Sequence, residues 1–116
     1  MANVLVVDDD EFLAELVETC LSTMDHNVTL VDNGKDALEK MQAGGFDLIF
    51  LDWQLPDMLG LDILSKYRAA TGSAKVVMLT GMRDKRDEVM KAGADDFLPK
   101  PFKANDLMSM MAKVCP

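Results

Sequence analysis

The chain has 116 residues, of which 49% are hydrophobic, enough for the core of one compact domain over residues 1–116. Its 12 lysines and arginines against 20 aspartates and glutamates give a net charge of −8, which argues against direct binding to a nucleic-acid backbone. The apolar runs are far shorter than the roughly 18–20 residues of a membrane span, and no secretory signal opens the sequence. We therefore expect a cytoplasmic protein that has no membrane partner.

Five short apolar segments alternate with segments that carry apolar residues at helical spacing. The segments 4–7 and 48–51 have the composition of strands that are covered on both faces. This alternation predicts a parallel sheet between two helical layers, joined by right-handed crossovers. We predict an α/β fold of the flavodoxin-like kind, a doubly wound sheet of five parallel strands in the order 2-1-3-4-5 with five helices. The predicted strands cover 4–7, 27–31, 48–51, 76–79 and 96–98.

Glycine and proline mark several ends of these segments. Asn33 and Gly34 open the second helix, and the pair Gly44 and Gly45 ends it before the third strand. Pro99 cannot donate a hydrogen bond to a sheet ladder, so it suits the end of an edge strand, here the fifth.

Acidic residues follow two strands that the predicted order makes neighbours. Asp8 and Asp9 come directly after the first strand, and Asp52 comes directly after the third. In open sheets of this kind, ligands bind beyond the carboxyl ends of the strands where the strand order reverses. Three carboxylates that converge there repel each other and need a cation. Hard oxygen ligands, with no histidine or cysteine nearby in the sequence, favour Mg²⁺ over zinc or copper.

A magnesium site built from carboxylates points to phosphoryl transfer, because such an ion commonly also coordinates phosphate oxygens. A carboxylate at the end of the third strand can act as the nucleophile and form an acyl phosphate. Thr80 and Lys100 end the neighbouring strands, and we expect their hydroxyl and ammonium groups to hold the phosphate oxygens.

The stretches VVDDDE, LDWQLPDMLG and AGADDFLPKPF, together with the strand-end Thr80, resemble the receiver domains of two-component signalling. The resemblance covers essentially the whole chain, residues 1–116. It implies that Asp8 and Asp9 are a metal-binding acidic pair and that Asp52 is both a metal ligand and the phosphoacceptor. It also implies that Gln54 offers its backbone carbonyl to Mg²⁺.

The same resemblance implies a switching mechanism. Lys100 would contact the phosphate, the Lys100–Pro101 peptide would be cis, and Thr80 and Phe97 would form the switch pair. Thr80 would move towards the phosphate, and Phe97 would turn inward into the vacated space. The face formed by helix four, strand five and helix five would then carry the signal.

The resemblance also implies the partners. A sensor histidine kinase, a histidine phosphotransfer protein or a small phosphodonor would supply the phosphoryl group. The signal would pass to an output domain or a target protein, and phosphorylation could drive dimerisation. Such a protein is a switch and not a turnover enzyme.

One feature departs from the family pattern. Lys100 follows Thr80 by 20 positions, about two fewer than in many receivers. This spacing predicts a shortened connection or fourth helix around residues 81–87, and therefore an atypical output face.

Three other functions fit the sequence less well than that of a receiver. A Mg²⁺-dependent phosphohydrolase that forms an aspartyl phosphate uses Asp-x-Asp, whereas Gln54 cannot act as a general acid here. A flavin or nucleotide module needs a glycine-rich phosphate cradle after the first strand, where this chain is acidic. A pseudo-receiver that only binds partners is disfavoured by the complete set of acidic, threonine and lysine positions. Taken alone, Phe97 would be an ordinary core residue.

Overall fold

A computed structural model describes residues 2–115. Five parallel strands form one sheet in the order β2-β1-β3-β4-β5, which confirms the predicted fold class and strand order. The strands are β1 (Asn3–Val7), β2 (Asn27–Val31), β3 (Leu48–Asp52), β4 (Lys75–Thr80) and β5 (Asp96–Pro99). The α-helices are α1 (Glu11–Thr23), α2 (Gly34–Ala43), α3 (Gly60–Ala69), α4 (Arg86–Lys91) and α5 (Ala104–Val114). None of these helices is long and apolar enough to cross a bilayer.

Each face of the sheet carries its own buried core, because alternate residues of a strand point to opposite faces. Val4 and Val6 of β1 lie in the core beneath α1 and α5, whereas Leu5 and Val7 lie in the core beneath α2, α3 and α4. The central strand β3 is buried along its whole length. Its last residue, Asp52, is therefore held by packed structure on both sides.

The region between β4 and β5 is short. A single 3-10 turn, Arg83–Lys85, leads into an α4 of six residues, whereas the other described α-helices have 10 to 13. Neither the turn nor α4 has a side-chain cap at its N-terminus. The predicted shortening of this region is confirmed, and Pro99 ends the edge strand β5 as expected.

Glycine at position 60 allows the start of α3 to approach the end of β3 closely. The Gly60 N–H donates to the carbonyl oxygen of Trp53 at 2.6 Å. A Cβ added to Gly60 would lie 2.0 Å from the backbone oxygen of Asp52. Only glycine fits this approach, which helps to fix the backbone of Asp52.

We expect Gly60→Ala to lower the free energy of unfolding by on the order of 3 kcal/mol, because the added methyl group must push two backbone segments apart. Gly81→Ala is the matched control, since the nearest atom to a Cβ at Gly81 is 3.9 Å away. Urea unfolding followed by circular dichroism measures both variants. Equal stability of the two would contradict the close approach at Gly60.

Candidate functional site

The strand order brings polar residues together at the carboxyl edge of the sheet. Asp8 and Asp9 follow β1, Asp52 ends β3, Thr80 ends β4 and Lys100 follows β5. The register aligns the ends of these neighbouring strands to within one residue, so these side chains share one edge. Residues that are far apart in the sequence thus meet in one pocket.

The carboxylates of Asp8, Asp9 and Asp52 converge. Each offers one oxygen atom, and the three oxygens lie within 4.8 Å of one another. Asp8 and Asp52 are buried, whereas Asp9 is exposed. A set of hard oxygen donors at this spacing suits a small divalent cation such as Mg²⁺.

Lys100 is the cation that faces these carboxylates in the structure. Its Nζ lies 2.9 Å from Asp8 Oδ2 and 3.2 Å from Asp52 Oδ1. Its backbone N–H donates to the carbonyl oxygen of Thr80 at 2.7 Å, which ties the lysine to the end of β4. One ammonium group therefore balances part of the charge of two buried carboxylates.

Asp8 has one oxygen that the protein leaves without an aligned hydrogen bond. Its Oδ1 accepts from the Asp10 N–H at 2.9 Å. Its Oδ2 is buried and has only the ion pair with Lys100, with no hydrogen bond of good geometry from residues 2–115. A buried oxygen of this kind needs an explanation, and a metal ligand is one that the surrounding carboxylates fit.

Burial and neighbouring charges shift the pKa of two groups in the pocket, Asp52 and Lys100. Burial, and then the Asp8 charge, raise the pKa of Asp52 from 3.8 to about 6, against the opposing effect of Lys100. Burial opposes a charged Lys100, but the two carboxylates outweigh it and raise the pKa of the lysine. Burial and the neighbouring Asp8 charge therefore disfavour the ionised form of Asp52, and Lys100 offsets these effects only in part.

The remaining predicted residues surround the pocket. Thr80 is buried, and its hydroxyl oxygen accepts from the Met82 N–H at 3.0 Å. Gln54 is exposed and forms an isolated antiparallel bridge with Leu59. The Lys100–Pro101 peptide is cis. Trp53 is half-buried beside Asp52, and Lys85 Nζ lies 6.0 Å from the centre of its ring.

Phe97 is part of the buried core. Its ring lies in the core beneath α2, α3 and α4, and in the β4–β5 register it pairs with Met78, two positions before the strand-end Thr80. The ring therefore already occupies an inward position in this structure. The turn that was expected of it on phosphorylation stays a prediction.

Two acidic residues with defined partners were missed at the sequence level. The Asp57 carboxylate accepts from the N–H groups of Gly34 and Lys35, and the first of these hydrogen bonds is the main cause of its lowered pKa. Asp96 is buried and pairs with Lys113 at 2.6 Å. Burial alone would raise the pKa of Asp96, but its hydrogen bond with Lys113 helps to lower it. No spacing in the sequence points to either contact.

Residues 4–112 match the family model described as "Response regulator receiver domain". The chain is 35% identical over 109 residues to the transcriptional regulatory protein DltR of Streptococcus agalactiae, a match that covers 92% of this chain and 49% of DltR. It is 34% identical over 116 residues to the sensory transduction protein RegX3 of Mycobacterium tuberculosis, a match that covers 98% of this chain and 51% of RegX3. The chemotaxis response regulator CheY4 of Vibrio cholerae has a similar structure, with a TM-score of 0.91, 30% identity and 98% of both chains covered.

The chain therefore belongs to the receiver domain family of two-component response regulators. It spans about half the length of the curated relatives that it matches.

The raised pKa of Asp52 predicts a pH-dependent stability in a chelating buffer. Between pH 4 and 6 the folded state holds a proton on Asp52 that the unfolded chain has lost, so this group lowers stability as the pH rises. We expect the unfolding free energy of Asp52→Asn to increase by about 2 kcal/mol relative to that of wild type between pH 4 and pH 7.5. Urea unfolding at both pH values measures the gain.

The exposed Glu39 provides the control, because Glu39→Gln should show no comparable gain over the same pH range. A stability difference between Asp52→Asn and wild type that stays constant with pH would contradict the burial and charge repulsion assigned to Asp52.

Proposed function

We propose that this chain is a phosphorylation-dependent signalling switch, a single receiver domain over residues 1–116 that accepts a phosphoryl group on Asp52 with Mg²⁺. The observation that carries the proposal is the convergence of Asp8, Asp9 and Asp52 on one edge of the sheet, with Lys100 against two of them. We further propose that it acts in the cytoplasm. A sensor histidine kinase, a histidine phosphotransfer protein or a small phosphodonor would supply the phosphoryl group.

The carboxylates of Asp8, Asp9 and Asp52 and the backbone carbonyl of Gln54 would hold the metal. Bound there, Mg²⁺ would supply the positive charge that lets an anionic phosphodonor approach and that neutralises the transferring oxygens. The buried Asp8 Oδ2, which lacks an aligned hydrogen bond, supports this assignment.

Asp52 is the best placed of the three carboxylates to act as the nucleophile. The Asp8 side chain has no exposed surface, whereas that of Asp52 is 9% exposed. Asp9 is exposed and has no ion pair with Lys100 among the described residues. An Asp52 oxygen would bond to phosphorus while the donor's bond to phosphorus breaks, giving an acyl phosphate. Lys100 Nζ, 3.2 Å from Asp52 Oδ1, is placed to donate to the phosphoryl oxygens.

Signalling would begin at Thr80. Its hydroxyl oxygen accepts from the Met82 N–H, at the entrance to the 3-10 turn that precedes α4. Drawing the hydroxyl towards a phosphoryl group would break this hydrogen bond at the start of a short, uncapped region. Phe97 packs in the same apolar cluster as Val89 of α4, so a displaced α4 would also repack Phe97 and the face formed by α4, β5 and α5. The phosphoryl group would act by favouring one of two packings.

The signal would leave through that face, either to an output domain or to a separate target protein, with phosphorylation-dependent dimerisation as one route. The net charge of −8 argues against direct contact of this domain with nucleic acid.

The rival phosphohydrolase function lacks support, because the exposed Gln54 occupies the position of its general acid and cannot donate a proton to a leaving group.

Incubation with acetyl phosphate and Mg²⁺ should add the mass of one phosphoryl group, and alkali should remove it, because acyl phosphates are labile to hydroxide. Asp52→Asn should gain no mass, whereas Asp62→Asn, at an exposed carboxylate of α3, should be modified like wild type. Intact-mass spectrometry measures the three proteins together. Equal modification of Asp52→Asn, or an alkali-stable adduct, would overturn the assignment of the acceptor.

Beryllofluoride, a phosphoryl mimic, should shift backbone amide resonances most within residues 83–113, while residues 38–42 of α2 stay nearly unchanged. Thr80→Ala should abolish the distant shifts, because it removes the hydroxyl that accepts from the Met82 N–H ahead of the 3-10 turn and α4. Thr23→Ala, which alters an exposed hydroxyl at the end of α1, is the control and should respond like wild type. Shifts confined to the acidic pocket in wild type would argue against a switch.

A further inference from the structure

The loop between β3 and α3, residues 53–59, is closed at its base. The Gly60 N–H donates to the Trp53 carbonyl at 2.6 Å, and Gln54 and Leu59 form an antiparallel bridge. Nearer the tip, the Leu55 N–H donates to the Met58 carbonyl at 3.0 Å. The loop is therefore a small closed unit. Leu55 anchors one side of it in the core beneath α2, α3 and α4, and its tip is attached separately.

The tip is attached to the N-terminus of α2 through Asp57. Asp57 Oδ1 accepts from the Gly34 N–H at 2.7 Å, and Oδ2 accepts from the Lys35 N–H at 3.1 Å. These are two of the first-turn donors that a helix leaves without internal partners, and the positive end of the helix dipole favours a carboxylate there. Among the described residues, the hydrogen bonds from this loop to α2 are those of Asp57.

Met58 adds an apolar contact at the same place. A Cβ added to Gly34 would lie 2.8 Å from both the Cβ and the Sδ of Met58, so the glycine lets the methionine pack directly on the helix backbone. The α2 terminus also has a cap of its own, because Asn33 Oδ1 accepts from the Asp36 N–H at 2.9 Å. Asp57 is therefore not the only residue that stabilises this end of α2.

We propose that Asp57 is a positioning residue for the metal site, which it serves by fixing the loop 53–59 against α2. The inference rests on the proposed function, in which the Gln54 carbonyl of this loop is a metal ligand. Gln54 is exposed, so its own side chain is not packed into the core. Its backbone is held by the closed base of the loop, by the buried neighbour Leu55 and by the anchored tip. Groups that orient a ligand from outside the metal's own contacts commonly change metal affinity when they are removed.

The test is a Mg²⁺ titration of the whole chain, followed by the amide resonances of Asp9 and Trp53. Asp57→Ala should weaken Mg²⁺ binding about tenfold. Asp57→Asn, which keeps the size but loses the charge and one acceptor oxygen, should fall between Asp57→Ala and wild type. Hydrogen exchange at the Gly34 and Lys35 amides should be faster in Asp57→Ala whether or not Mg²⁺ is present.

Asn33→Ala is the matched control. It removes the other cap from the same end of α2 and leaves the loop contacts in place, so its Mg²⁺ affinity should stay within about twofold of wild type. An equal loss of affinity in Asn33→Ala and Asp57→Ala would reduce Asp57 to a helix cap and overturn its positioning role.

The two proposals fail in different ways. A wild-type protein that shows no response to Mg²⁺ would overturn the metal site itself, and the role of Asp57 with it. A wild type that binds Mg²⁺, with Asp57→Ala binding equally well, would overturn the positioning role alone.

Discussion

The repulsion among three carboxylates at the ends of neighbouring strands is the constraint on which the rest of this structure depends. Asp8 and Asp52 are buried, and within residues 2–115 the ammonium group that pairs with them is that of Lys100. Burial, and then the negative charge of Asp8, raise the pKa of Asp52 to about 6. A site in this condition favours an added cation, and under the proposed function that cation would let a phosphoryl group approach.

The fold holds the carboxylates together against this repulsion. Their strands are hydrogen-bonded neighbours in the middle of a sheet with a packed core on each face. Gly60 brings the start of α3 against the backbone of Asp52, and the Lys100 N–H is fixed to the Thr80 carbonyl. The site is therefore rigid at the strand ends. The region that follows β4 is different, since a 3-10 turn leads into an α4 of only six residues, and this contrast suits a switch that moves one element and leaves the rest in place.

Much of the fold and of the site could be predicted from the sequence, because both depend on local patterns. Buried parallel strands appear as short apolar runs in the sequence. Because the carboxyl ends of adjacent strands meet at one edge, Asp8, Asp52 and Thr80 could be placed together from the sequence alone. Phe97 could be placed on β5 and, as an apolar residue of a strand, in the core, where the structure has it.

The contacts between distant elements could not be predicted. Arg68, at the end of α3, donates from Nε to the Gly93 carbonyl at 2.9 Å and from Nη2 to Asp95 at 2.9 Å, and so joins α3 to the turn before β5. Asp57 reaches the first turn of α2, which precedes it by more than 20 positions. Such contacts depend on the distance and angle between packed helices, and no periodicity in the sequence encodes these quantities.

A crystal structure of the chain with Mg²⁺ and beryllofluoride tests the central claim most directly. The account predicts the beryllium on an Asp52 carboxylate oxygen, the metal between Asp8, Asp9 and Asp52, and Lys100 Nζ within hydrogen-bonding distance of a fluorine. It would be contradicted by beryllofluoride bound to another carboxylate, or by an acidic pocket in which Lys100 remains paired with Asp8 and Asp52 and no metal is bound.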